Sequence, residues 1–384
     1  MRMFLTTSVE KLRQSNNIKK ALAINPNWGM AIGNLGVAYQ YYGRLVSDPS
    51  HERILHNSAI RLLVNATNSD DHNIYSEAME YFKRCIDIYD PAYIRNVTST
   101  FPTLSEHKYT SKSELIYKNW VLHNNLFLHP LNDLPYFDYC FATDFIHLPN
   151  MIMKKCTKPI FHGIFNQLKQ EYIFARYQYY CSIQIPSKPH FADKDIYLVD
   201  FADHTQYSVR IEQMKCSFRI LYSLLDKVAF FINSYFELGI EERKVFYHNI
   251  WKNIDPSKYK NTENYAFSSL YWISKDFKVR FVDSPNPQAE RISNIRNALE
   301  HRYVKICRLD LNVDETMDKV DDRAFFISEI ELTDKTMWLL KLIREVIICL
   351  ALTVGVEERE KRKALSNDVI VDFPLSNYDD ERKI

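Results

Sequence analysis

Residues 284–307 read SPNPQAERISNIRNALEHRYVKIC, and the rest of the chain reads as a scaffold for the helix they predict. Asn286 suits an N-cap, and Pro287 suits the first helical position, where a helix leaves its N–H groups unpaired anyway. Ile292, Ile295, Leu299, Tyr303 and Ile306 recur at three- and four-residue steps. They make one apolar stripe, by which the helix packs. Asn297 and His301 are four residues apart and share a face, so the amide is placed to orient the imidazole and select its tautomer. Arg296 and His301 are five residues apart. At about 100° per residue that is roughly 140° around the axis, so a straight helix in one chain does not bring both onto one phosphate. Either the helix breaks near Arg296 or a second copy contributes.

The 384 residues are enough for two or three domains, and 46% apolar content supplies their cores. Lys plus Arg (49) nearly cancels Asp plus Glu (48), so no global field coats nucleic acid and any such binding is local. Seven cysteines without a C-x-x-C pair point to reduced thiols in a cytoplasmic protein rather than a disulfide framework or zinc site. Neither end reads as a signal peptide. The apolar run Val346–Val356 is about half of the roughly 20 residues a membrane span needs, so no membrane partner is expected. Only 7 Gly and 14 Pro interrupt the chain, while 25 Tyr and 23 Phe supply packing between helices. The expected fold is mostly α.

Outward from the opening stretch, helices are predicted at 262–277 and 333–363, with a basic EREKRK end that complements the last helix's dipole. Residues 163–182 predict another, and 207–238 the longest, about 30 residues. On the latter, Asp226 and Lys227 lie among leucines and phenylalanines and read as a structural ion pair, with a role for Asp226 in the site held open. Residues 93–160 form an irregular connecting segment with one helix near Ser113–Asn124. Its His123, His129 and His147 show no metal-ligand spacing, so neither metal nor cofactor is expected. Residues 1–92 resemble tetratricopeptide (TPR) repeats: Ala21, Leu22 and Pro26 end one unit, Leu35, Gly36 and Tyr39 begin the next, and Ala78, Phe82, Cys85, Ile86 and Pro91 fit the matching second helix. Residues 44–72 then form an insertion with its own helix near Arg53–Thr67. Gly36 is small enough for a neighbour to come close. An ordinary helical hairpin is the plainer alternative. The helical bundle spans 161–363 and a polar tail 364–384.

Arg followed after four to six residues by His occurs at Arg44/His51, Arg243/His248 and Arg296/His301, about as often as composition alone allows. Context separates them. Arg44/His51 straddles a Ser-Asp-Pro turn, and Arg243/His248 lies in a loop with no polar neighbour placed to orient the histidine. Only the third combines a capped helix, an Asn at i−4 from His, and long helices on both sides. Arg296-Asn297-Ala298-Leu299-Glu300-His301 in a bundle resembles the HEPN superfamily, whose signature is Arg, a polar residue, three to five more, then His. KNWVLHNNLFLHPLND (118–133), FNQLKQEYIFARY (165–177), DKDIYLVD (193–200) and FRILYSLLDKVAFFINSYF (218–236) resemble, in that order, the branch found behind TPR repeats. The likeness covers roughly residues 110–360. It implies a metal-independent endoribonuclease whose active site forms at a homodimer interface, often in toxin–antitoxin or anti-phage defence, although some members only bind nucleotides or act as structural partners.

RNA is cut without metal when its own 2′-OH attacks the adjacent phosphate, leaving a 2′,3′-cyclic phosphate and a 5′-hydroxyl. His301 has the titration range for base and acid, and Arg296 the fixed fork of donors for the phosphorane. Asn297 would orient His301 or donate to a phosphate oxygen. The competing expectation is structural: Arg296 and Glu300, at i and i+4, form a surface ion pair and His301 is merely polar. In that case the bundle dimerises as an adaptor, and the TPR-like region holds a protein partner.

Overall fold

A computed structural model describes residues 18–19, 21–68, 74–100, 111–134, 139–152, 159–184, 188–199, 205–260, 264–276, 287–308, 323–364 and 380–383. The described residues are mostly α-helical, and they divide into two compact units.

The first unit comprises Met1–His162, Asp255–Leu270 and Ile348–Ile384. Its helices α1 (Gly29–Leu45) and α2 (Pro49–Asn68) pack side by side. Small residues set their distance: a Cβ on Gly36 would lie 2.8 Å from Leu63 Cγ and 3.1 Å from the Ala59 carbonyl, so this glycine admits the neighbour foreseen for it. A Cβ on Gly33 would lie 2.2 Å from the Phe82 ring, which belongs to α3 (Ser76–Ile86). Ile32, Leu35, Tyr39, Ala78, Phe82 and Cys85 are buried. Residues 93–99, read as irregular, belong to helix α4 (Pro91–Ser99). The signal was present, since Asp90 accepts from Ala92 N and Tyr93 N at 2.8 and 3.1 Å with Pro91 beside it at the helix start. Helix α5 (Lys112–His123) begins on the Ser111 hydroxyl.

The second unit comprises Gly163–Ile254 and Tyr271–Ile347. It holds α6 (Ile160–Ile183) from Gly163 on, α7 (Val209–Tyr235), the last turns of α8 (Tyr265–Asp276), α9 (Pro287–His301), two strands, and α10 (Glu329–Ala364) as far as Ile347. On α7, Ile211, Met214, Phe218, Leu221, Leu225, Val228 and Ile232 form the buried stripe that a 3.6-residue period demands. Ser217 Oγ donates to the Ala175 carbonyl at 2.8 Å and ties α7 to α6. Arg291 forks onto Glu331 at 2.6 and 2.8 Å and ties α9 to α10.

Three expectations are corrected. The apolar stripe does not run on as helix to Ile306: α9 ends at His301, and Tyr303–Cys307 is strand β1, parallel to β2 (Ala324–Ser328). Tyr-Val-Lys-Ile-Cys favours the extended state once a partner strand exists, and that partner lies beyond the next segment. Helix α10, with 36 residues, is longer than α7, with 27. It starts straight from β2 because the Ser328 hydroxyl accepts from Glu331 N at 3.1 Å, an N-cap with Glu in the capping-box position. Asp226 and Lys227 do not pair. Neighbours on a helix point about 100° apart, and Lys227 instead bonds both oxygens of Glu171 at 2.5 and 2.6 Å. Asn286, expected as N-cap of α9, lies outside the described residues. No described helix is long and apolar enough to cross a membrane.

Candidate functional site

Helix α9 is continuous from Pro287 to His301, so no break brings Arg296 round to His301. Its inner face is fixed by buried Ile292, Ile295, Ala298 and Leu299. Its last turn is closed by Arg219 of α7, whose guanidinium donates to the Leu299 carbonyl. That bond places a cation on one of the carbonyls a helix C-terminus leaves unpaired.

A cleft of about 400 Å³ lies between α7 and α9. Arg219, Tyr222, Asp226, Lys227 and Phe230 line it from α7, Arg296 and Glu300 from α9, and Glu242 and Val245 from the turn beyond α7. Arg296 is half-buried, its guanidinium carbon 5.5 Å from the centre of the Tyr222 ring. It also donates to Asn297 Oδ1 at 3.1 Å. Asn297 therefore serves Arg296 within one chain, and not His301 as its spacing predicts. Glu300 does not hold Arg296 either, since its carboxylate faces Arg219 at 3.9 Å. His301 is exposed and makes no hydrogen bond or ion pair among the described residues. One chain thus brings Arg296, Glu300 and Asp226 into one cleft and leaves His301 outside it.

Asp226 is the half-buried acid of this cleft. Burial raises its carboxyl above the usual carboxylate range, against the pull of the Tyr247 N–H at 3.1 Å and the nearby charges of His248 and Arg296. Burial likewise pushes the Tyr222 phenol up, while a bond with Ser293 and the charge of Arg296 act the other way. His248, set aside on sequence for want of a polar neighbour, has Asp226 for one. It stacks on Phe246, ring centres 5.8 Å apart. Sequence spacing could not show this, because the loop folds back on α7 through the Tyr247–Asp226 bond.

The other arginine–histidine pair has a different setting. Arg44 lies over Tyr41 at 5.3 Å, and His51 packs against His129 and Phe145 with ring centres 4.8 and 4.6 Å away. His123, His129 and His147 of the connecting segment are engaged locally: His129 Nδ1 accepts from Leu131 N, and His123 and His147 contact the carbonyls of Asn119 and Leu148. Among the described residues no three His, Cys, Asp or Glu side chains are grouped to hold a metal.

Compared with known proteins, residues 152–357, more than half of the chain, match the model of a family described as LA2681-like HEPN. Searches of curated proteins and of solved structures returned no match.

Proposed function

The chain belongs to the LA2681-like HEPN family, whose domain type carries nucleotide-binding or ribonuclease functions, and on that premise we propose that it is a metal-independent endoribonuclease acting as a homodimer. The observation that carries the reading is the division of labour on α9. Arg296 is held in a cleft by Tyr222 and Asn297, while His301, five residues on, is exposed and uncommitted. A phosphate seated at Arg296 of one chain then meets His301 of the other, and a two-fold axis makes two such sites.

In this reading His301 takes the 2′-OH proton as that oxygen attacks the adjacent phosphorus, and the same imidazole, now protonated, returns the proton to the departing 5′ oxygen. Arg296 stabilises the phosphorane through paired N–H donors. Asn297 supports Arg296 as a positioning residue. Asp226 sits in the same cleft, where burial favours its protonated form and the charge of Arg296 opposes that, and Glu300 with Arg219 borders the cleft. The N-terminal helices resemble TPR units and offer a place for a protein partner that restrains or triggers cutting, as suits a cytoplasmic toxin or anti-phage effector.

A second reading has its own observation. Within one chain Arg296 is already engaged by Tyr222 and Asn297, as in a structural or nucleotide-binding HEPN domain that dimerises as an adaptor. Incubating purified protein with total RNA in EDTA separates the two. The nuclease reading expects cyclic-phosphate ends that disappear in His301→Ala and Arg296→Ala. Intact RNA with a stable wild-type dimer would support the adaptor.

A further inference from the structure

Two residues beyond His301 the chain enters β1, and there the surface changes character. Tyr303 is 46% exposed, and Tyr207, also 46% exposed, approaches it with the two hydroxyl oxygens 3.5 Å apart. The pairing is built into the backbone. Thr205 bridges Cys307 in antiparallel sense and Gln206 N donates to the Ile306 carbonyl at 2.8 Å, so the segment leading into α7 lies along β1 and delivers Tyr207 beside Tyr303. Beneath them Lys305 is only 5% exposed. Its ammonium lies 5.4 Å from the centre of the Tyr303 ring and 5.4 Å from that of Phe326, its register partner on β2. A cation against one side of the Tyr303 ring fixes its plane while half the residue stays open to solvent.

The surroundings are basic. Arg302 is exposed and its side chain makes no hydrogen bond or ion pair among the described residues. Arg308 is exposed near Glu329, which Arg210 already binds at 2.6 Å. Glu300 is the acidic neighbour, and it faces Arg219. An exposed ring oriented by Lys305, a second exposed tyrosine beside it and exposed arginines nearby suit one kind of occupant, an unpaired base with its phosphate.

We propose that Tyr303 and Tyr207 form a base-stacking platform that holds an unpaired nucleotide next to the phosphate addressed by His301, with Arg302 on the neighbouring phosphate. This rests on the ribonuclease reading for the identity of its ligand, and it adds a specificity: the enzyme selects single-stranded RNA. A duplex keeps its bases stacked on each other and offers no free π-face.

The test uses the full chain and an uncleavable probe, a fluorescein-labelled 2′-O-methyl RNA 12-mer, single-stranded or hybridised to its complement. The wild type should bind the single strand at least about 10-fold more tightly than the duplex. Tyr303→Ala should weaken single-strand binding by about 5- to 100-fold, the usual range for one lost base–aromatic stack. Tyr303→Phe, which keeps the ring, should stay within about threefold of wild type, which separates stacking from folding damage. Equal binding of strand and duplex, or unchanged binding in both Tyr303→Ala and Tyr207→Ala, overturns the platform. So does loss of the dimer in Tyr303→Ala with base binding intact, which would make the patch a protein interface. Cleavage of ordinary RNA, measured in parallel, tests the catalytic reading separately: a wild type that binds and never cuts refutes catalysis and leaves the platform standing.

Discussion

Arg296 lies over the ring of Tyr222, its guanidinium carbon 5.5 Å from the ring centre. The contact crosses from α9 to α7 and sets where the cation sits in the cleft. Tyr222→Phe keeps the π-face and should retain most RNA cleavage, within about threefold. Tyr222→Ala removes it and should lower kcat/KM by about 10-fold or more, the scale of roughly 1–2 kcal/mol for a desolvated cation–π contact. Steady-state kinetics on a single-stranded RNA, with the Tm of each variant as a fold check, measures both.

Asp226 gives a pH signature. Burial raises its folded-state pKa above the unfolded value, so the folded state favours the protonated acid. Its contribution to stability is therefore full below the unfolded pKa of about 3.9, and it is lost as pH rises through the raised value. Asp226→Asn holds the neutral form at every pH, and its amide oxygen still accepts from Tyr247 N. Relative to wild type the variant's Tm should gain as pH rises from the unfolded value through the raised one and then level off. A Tm difference independent of pH would contradict the raised pKa.

Gly33 and Gly163 make an opposed pair. A Cβ at Gly33 meets the Phe82 ring at 2.2 Å, so Gly33→Ala should destabilise the first unit by about 1–3 kcal/mol, the usual cost of overpacking. At Gly163, in α6, a Cβ meets nothing within 4 Å, so Gly163→Ala should stabilise by about 0.5–1 kcal/mol through helix propensity. Urea denaturation of both variants would reveal the opposite signs.

The helices were legible because their signals are local. Ile292, Ile295 and Leu299 mark the buried face of α9 by spacing alone, and all three are buried. The strands were not, because Tyr303–Cys307 becomes β1 only through its pairing with Ala324–Ser328. The site shows the same boundary. Spacing groups Asn297 with His301, yet Asn297 bonds Arg296, since side-chain direction and the neighbouring Tyr222 decide the partner. Lys227 was paired by adjacency with Asp226, while its carboxylate partner, Glu171, stands on another helix. His248 passed as a bystander because the fold-back of its loop onto Asp226 leaves no trace in the local sequence.

The central claim is that Arg296 of one chain works with His301 of another, because the unbroken α9 keeps them apart in each. The most direct measurement mixes Arg296→Ala and His301→Ala protein by co-expression and follows cleavage of single-stranded RNA in EDTA. In a mixed dimer one of the two sites keeps both residues, and random pairing makes half of the dimers mixed. The mixture should therefore recover about a quarter of wild-type activity, while each variant alone is inert. An inert mixture beside an active wild type would contradict the two-chain site.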